Sequence, residues 1–112
     1  MYQKLSDKLV VTTTASPEFS FAIPMEGSNA IQAELTIYAV VAAATLTVEM
    51  QGSNDLQNWS QVLAPVAGLT VGYTATSLKA TAVAFQYVRI KMTSVGAGGS
   101  VILSCGVNTS QL

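Results

Sequence analysis

Apolar and polar residues alternate along much of the chain, and this two-residue period is typical of strands with one buried face. The alternation is clearest over residues 33–39, where the odd-numbered positions are apolar, and it resumes over residues 45–51. The short apolar segment between them, residues 40–44, predicts a tight turn, although it lacks the Asn-Gly or Asp-Gly pair that marks such turns. The two stretches are therefore interpreted as a hairpin of long antiparallel strands.

A second hairpin is predicted nearer the C-terminal end, where residues 88–92 and 101–107 alternate and the glycine-rich segment GAGGS lies between them. Shorter candidate strands cover residues 9–13, 19–23, 59–63 and 69–76. No window shows a 3.6-residue apolar period that begins with a cap, and Val, Ile and Thr dominate. The pattern predicts an all-β, antiparallel β-sandwich of about eight strands with little or no helix. Jelly-roll and immunoglobulin-like connections both remain open.

The length of 112 residues suits one domain with one core, spanning residues 1–112. We expect residues 1–8 to form a flexible arm and residues 108–112 a loose tail. Charged residues make up only 10% of the chain, against about a quarter in ordinary soluble domains. A surface with so few charges repels its neighbours weakly, and this property favours self-association.

Composition also argues against several partners. The net charge is −1 and no basic cluster occurs, so nucleic acid is not expected, and Arg89 and Lys91 are interpreted as a solvated strand face. The longest nearly apolar run, residues 38–46, is too short to span a bilayer, and the first residues do not resemble a secretory signal. No membrane partner is expected. The single cysteine, Cys105, is predicted to be a small buried hydrophobic residue.

Candidate chemistry is sparse. The chain contains no histidine, which excludes Ser-His-Asp and Cys-His catalysis and removes the commonest zinc ligand. Glycosidases need only two close carboxylates, and Glu34 and Glu49 would face each other across the first predicted hairpin. We favour two solvated carboxylates instead. The protein is expected not to be an enzyme and to carry no metal or cofactor.

One polar loop, in the sequence VEMQGSNDLQNWSQV, offers Asn54, Asp55, Asn58 and Trp59 as a candidate ligand site. An aromatic platform beside amide and carboxylate groups suits a sugar. Calcium is less suited, because the loop supplies a single carboxylate. Asn and Asp side chains also bond their own backbone two residues on, so the loop is interpreted mainly as a chain turn, with Trp59 packed in the core.

The segment from Gln51 to Trp59, together with Tyr87–Ile90, resembles a recurrent pattern of small β-sandwich domains. In this pattern a strand ends in Gly-Ser-Asn-Asp, Trp opens the next strand and a late strand reads Tyr-Val-Arg-Ile. Discoidin-type, galactose-binding-like sandwiches carry it, and so do head-decoration and tail-associated structural proteins of tailed bacteriophages. Discoidin domains are usually longer, often contain a disulfide and bind through aromatic or basic loops. The phage proteins are therefore the better match.

This resemblance implies a non-enzymatic structural subunit of a phage-like particle, and in particular a capsid decoration or cement protein assembled into the virion in the host cytoplasm. The implied partners are further copies of the chain and other virion structural proteins. Outward apolar residues mark the expected assembly surface: Tyr38, Val40 and Ile102. The alternative is a carbohydrate-binding module that uses the loop from Asn54 to Trp59. A hydrolase using Glu34 and Glu49 is a third hypothesis.

Overall fold

The computed structural model describes residues 1–14, 17–96 and 98–112. Within these residues the structure is all-β, as predicted, and consists of ten strands. They are β1 (Tyr2–Thr12), β2 (Glu18–Phe19), β3 (Ile23–Pro24), β4 (Ala30–Val41), β5 (Thr45–Ser53), β6 (Ser60–Leu69), β7 (Gly72–Thr74), β8 (Lys79–Ala80), β9 (Tyr87–Val95) and β10 (Ser100–Ser110). None of the described segments forms a helix that would cross a membrane.

The strands form two antiparallel sheets that pack face to face. Sheet A has the order β1-β10-β4-β7, with β8 also paired to β4, and sheet B has the order β2-β9-β5-β6, with β3 also paired to β9. Counting β2 with β3 as one interrupted strand, and β7 with β8 as another, gives eight strands. These pair first with last, second with seventh, third with sixth and fourth with fifth. This nesting is the jelly-roll connectivity and excludes the immunoglobulin-like alternative.

The inner faces of both sheets supply the core, as the alternation predicts. Sheet A contributes every second residue of β4 and β10, and sheet B does the same from β5 and β9. The largest fully buried side chains include Leu35, Ile37 and Leu103 from sheet A and Leu46, Met50, Ile90 and Met92 from sheet B. Cys105 lies in this core with 1% of its surface exposed, as predicted.

Both predicted hairpins are wrong, because their two strands lie in different sheets. The turn after β4 carries the chain from sheet A to sheet B, and the connection from β9 to β10 carries it back. The glycine-rich segment lies in this second connection, and Ala97 falls outside the described residues. A hairpin and a crossing between sheets both join two alternating strands by a short turn, so the alternation alone does not distinguish them.

A bulge in β4 overturns part of the predicted assembly surface. Ile102 pairs with Ala39 and Leu103 pairs with Ile37, so Tyr38 is an extra residue opposite one step of β10. The extra residue reverses the alternation beyond it. Val40 was expected to face outward but packs against the core, whereas Ala39 lies on the outer face beside Ile102.

The structure also differs from the expectation at both ends of the chain. Residues 2–8, expected as a flexible arm, lie in β1, which pairs with β10 from Tyr2 to Thr12. Residues 108–110, expected as part of a loose tail, continue β10 and pair with β4. In addition, the terminal amino group donates to the carbonyl oxygen of Thr109. Each end is therefore held through backbone hydrogen bonds to a neighbouring strand.

Candidate functional site

The loop after β5 is held by hydrogen bonds among its own residues. The Ser53 hydroxyl is buried and accepts the backbone N–H of Asp55 at 3.2 Å and of Leu56 at 2.9 Å. It donates to Oδ1 of Asp55 at 3.0 Å. That oxygen also accepts the backbone N–H groups of Gln57 and Asn58, at 2.9 and 2.8 Å. These bonds are the side-chain-to-backbone contacts that stabilise turns.

The predicted ligand groups of this loop are therefore already engaged. Oδ2 of Asp55 accepts the Asn58 side-chain amide at 2.7 Å. Oδ1 of Asn54 accepts the backbone N–H of Gln86 at 3.0 Å, which ties the loop to the segment before β9. The N–H donors of Asn58 and Gln57 hold the pKa of Asp55 far below its usual range, so the carboxylate is charged and satisfied locally. Asn54, Asp55 and Asn58 thus turn the chain, as the sequence favoured.

Trp59 was expected in the core, and this expectation is wrong. Its indole is half-buried on the outer face of sheet B, where the guanidinium carbon of Arg89 lies 4.1 Å from the ring centroid. The ring centroid of Phe19 also lies 4.1 Å from this guanidinium carbon. Nε of Arg89 donates to Gln51 Oε1 at 2.8 Å. Arg89 is thus a stacked cation between two rings rather than part of a freely solvated face.

Partial burial between these rings lowers the pKa of the Arg89 guanidinium. The side chain remains a cation, because an arginine starts from a very high value. The motif residues Trp59 and Arg89 consequently belong to one structural contact that joins the start of β6 to β9. Gly52 belongs to the same motif, and a Cβ there would lie 2.6 Å from Cγ of Phe85 and 2.8 Å from a methyl group of Val62.

The outer face of sheet A carries an apolar patch at the end near the β4–β5 turn. Strand register places Val10, Ile102 and Ala39 side by side across β1, β10 and β4. Val41 lies one outward position further along β4, and the bulged Tyr38 lies beside Ala39. Val10, Tyr38 and Val41 are each about half exposed. We call these five residues the apolar patch. Of the three residues of the predicted assembly surface, Tyr38 and Ile102 belong to this patch, whereas Val40 packs against the core.

The other half of the same face carries a tyrosine bridge. The hydroxyl of Tyr2, on β1, donates to Oε1 of Glu34 at 2.6 Å, and the hydroxyl of Tyr73, on β7, donates to Oε2 at 2.9 Å. These donors lower the pKa of Glu34, while the carboxylate raises the pKa of each phenol. The bridge spans the full width of sheet A.

Glu34 and Glu49 do not form a catalytic pair. Glu34 lies on the outer face of sheet A and Glu49 on the outer face of sheet B, where Gln51 donates to it at 3.3 Å. The packed sheets are separated by about 10 Å and the two side chains point away from each other, beyond the spacing that glycosidases use. This geometry therefore does not support a hydrolase that uses Glu34 and Glu49.

Several residues at these surfaces were not found from the sequence. Tyr2 fell in the expected flexible arm, Tyr73 in a short candidate strand and Phe19 at the start of another. All three contact residues from distant parts of the chain, so only the strand pairing reveals their role. The late Tyr-Val-Arg-Ile sequence was the available signal for Arg89, and its alternation placed this residue on the outer face.

No family model matches the chain, and no curated protein matches it. Among solved structures, the SPBc2 prophage-derived protein YomS is similar, with a TM-score of 0.52, 8% identity, 96% of this chain covered and 92% of that one. A structure of infectious bursal disease virus, Gx strain, has a TM-score of 0.55 and 14% identity over 99% of this chain and 32% of that chain. The CBM22-1–GH10 modules of Clostridium thermocellum xylanase 10B, complexed with xylohexaose, have a TM-score of 0.51 and 8% identity over 96% of this chain and 26% of that chain. At these identities the likeness concerns the sandwich fold.

Proposed function

We propose that the protein is a non-enzymatic structural subunit of a phage-like particle, and specifically a capsid decoration or cement protein. The observation that carries this proposal is the apolar patch. Half-exposed side chains such as Val10, Tyr38 and Val41 lie together on the outer face of sheet A, and monomeric proteins seldom leave such groups in water. A contact that covers them removes apolar surface from solvent and requires no reactive group.

The fold and the composition support the same proposal. Jelly rolls recur in viral capsid domains, and two of the similar structures come from a prophage protein and a virus. Only 10% of the residues are charged, so two copies meet little electrostatic resistance. The proposed partners are a second copy of the chain and neighbouring shell proteins of the virion. The expected flexible arm is not part of the proposed contact, because these residues lie in β1 and pair with β10.

Analytical ultracentrifugation over a wide concentration range tests self-association. We expect the wild type to form a species larger than 11.7 kDa, and the double variant Val10→Lys with Val41→Lys to associate at least about tenfold more weakly. Phe21→Lys is the matched control, because Phe21 is about as exposed but lies beyond β2 at the edge of sheet B. Unchanged association of the double variant would contradict the role of the patch.

The particle itself provides the second test. If the protein decorates a shell, it should co-sediment with particles assembled from the structural proteins encoded by neighbouring genes, and negative-stain images should show it at repeated positions. The Lys double variant should be lost from these particles while Phe21→Lys is retained. A wild-type protein that is monomeric at high concentration and absent from its natural particle would exclude the proposal.

A further inference from the structure

From the tyrosine bridge and the two cavities beside it, we propose a binding site for a neutral saccharide on the outer face of sheet A. One cavity, of about 120 Å³, is lined by Tyr2, Gln32, Glu34, Tyr73, Ala75 and Asn108. The other, of about 110 Å³, shares Tyr2 and Glu34 and continues along the face past Thr36 and Ser104. Together they form a trough that runs on both sides of the bridge and meets the apolar patch at Tyr38.

The floor of the trough is low because β10 presents small residues there. Gly106 pairs with Glu34 on one side and Lys4 on the other. A Cβ at position 106 would lie 2.8 Å from Cζ of Tyr2, so the phenol ring rests directly on the strand backbone. Glycine is thus the residue that allows Tyr2 to lie flat across the sheet and reach Glu34.

The walls supply exposed aromatic surface. Tyr2 and Tyr73 are both more than half exposed, although each hydroxyl is bonded to Glu34. Phenol rings in this state offer an apolar surface for the C–H faces of a sugar ring and an oxygen for its hydroxyl groups. Because the carboxylate already restrains both rings, little rotamer entropy is lost when a ligand packs against them.

Hydrogen-bonding capacity remains after the bridge is formed. An ionised carboxylate accepts about four hydrogen bonds, and Glu34 uses two of them for the tyrosines. The side-chain amide of Gln32 donates to the carbonyl oxygen of Ala75 at 3.1 Å and keeps its own oxygen as an acceptor. Asn108 is exposed on the same wall and makes no side-chain hydrogen bond within the part of the chain that the structure describes. A polyhydroxylated ligand satisfies donors and acceptors of this mixed kind.

The charged groups around the trough disfavour anionic and cationic ligands. Glu34 repels anions, and the nearby Lys4 lies 3.6 Å from Asp7, which offsets its charge. The two phenol donors already stabilise the charge of the carboxylate, which weakens its attraction for a cation. Neutral sugars meet neither obstacle. This site is separate from the loop of Asn54, Asp55, Asn58 and Trp59, where the polar groups bond to one another.

The test is an NMR titration of the ¹⁵N-labelled protein with cellohexaose and, in parallel, maltohexaose. We expect at least one of them to shift the amide signals of Gln32, Glu34, Tyr73 and Asn108, and to leave those of residues 53–59 in place. Tyr73→Ala should weaken the affinity by about tenfold or more, which corresponds to the loss of one well-packed aromatic contact. Phe21→Ala, which removes an exposed ring outside the trough, should leave the affinity within twofold of the wild type.

Asn108→Ala provides a second variant that keeps the test valid where Tyr73→Ala disturbs the fold. It removes an exposed amide without touching the bridge, and it should also weaken binding. Absence of shifts with both oligosaccharides at millimolar concentration overturns the proposal. Shifts confined to the loop and Trp59, or an unchanged affinity in both trough variants, overturn it as well.

Discussion

Single residues explain why the Gly-Ser-Asn-Asp segment has its particular composition. Gly52 lies against the ring of Phe85, Ser53 is buried and accepts two backbone N–H groups, and Asp55 accepts two more. Each of these residues satisfies a steric or hydrogen-bonding requirement of the chain itself. The composition of this segment is therefore explained by the way it ends β5, and no ligand is required to account for it.

The Asp55 hydrogen bonds lead to a pH prediction. Its pKa is depressed in the folded protein, so the stability that it contributes is fully present above its ordinary value of 3.8 and is lost as the pH falls below it. Asp55→Asn should therefore lower the free energy of unfolding at pH 7, and its deficit relative to the wild type should shrink below about pH 4. Urea denaturation followed by circular dichroism measures both quantities.

Glu26→Gln is the control for this change, since Glu26 is an exposed carboxylate in a different turn. Its effect on the denaturation midpoint should be smaller than that of Asp55→Asn at pH 7. Equal effects of the two substitutions, or an Asp55→Asn deficit that stays constant down to pH 2, would contradict the role assigned to the Asp55 carboxylate.

At the scale of elements, the β4–β5 turn stores strain. Ala42 and Ala43 both have a φ of 56°, and the N–H of Ala44 donates to the carbonyl oxygen of Val41 at 3.2 Å. Two successive residues with positive φ define the type I′ geometry that Asn-Gly adopts readily. Alanine pays for this conformation with about 1 kcal/mol or more per residue.

Ala42→Asn combined with Ala43→Gly should therefore stabilise the protein by about 1 kcal/mol, after allowance for the greater freedom of glycine in the unfolded chain. Both side chains are exposed, so the exchange creates no packing conflict. Ala42→Val is the opposing control and should destabilise, because a β-branched residue is least compatible with this φ. Thermal denaturation that ranks the double variant at or below the wild type would show that the turn is unstrained.

The same elements show what the sequence predicts and what it leaves open. Alternation places the buried faces of β5 and β9 correctly, because core burial enforces a two-residue period. It misses the bulge at Tyr38, since an extra residue on one strand is visible only against its partner. It also misses the bridge between Tyr2, Glu34 and Tyr73, whose members are brought together by pairing across the whole sheet. Trp59 was predicted in the core because a large apolar side chain favours burial. In the structure it lies on the surface, where Arg89 stacks against it.

For the whole molecule, Cys105 reports on the integrity of the sandwich. Burial in the core raises the pKa of its thiol to about 12, so almost no thiolate is present at pH 8. We expect the native protein to resist labelling by a disulfide reagent at this pH and the guanidinium-unfolded protein to react completely. Leu35→Ala removes the cross-strand neighbour of Cys105 and should raise the native labelling rate by more than tenfold through loss of global stability.

Leu112→Ala, a change at an exposed terminal residue, should leave the labelling rate unchanged. Rapid labelling of the wild type without denaturant would mean that the sheets separate readily. It would be inconsistent with a core closed on both faces of the cysteine.

The position of β10 has a consequence for biosynthesis. This strand lies between β1 and β4, so β1 has as its neighbour the strand of the sandwich that is most distant from it along the chain. While the chain is still on the ribosome, β1 emerges long before its hydrogen-bonding partner, and sheet A remains unfinished until residues 100–110 have left the exit tunnel. Sheet A therefore cannot be completed before β10 is available, and until then β1 is an unpaired edge open to non-native strand pairing.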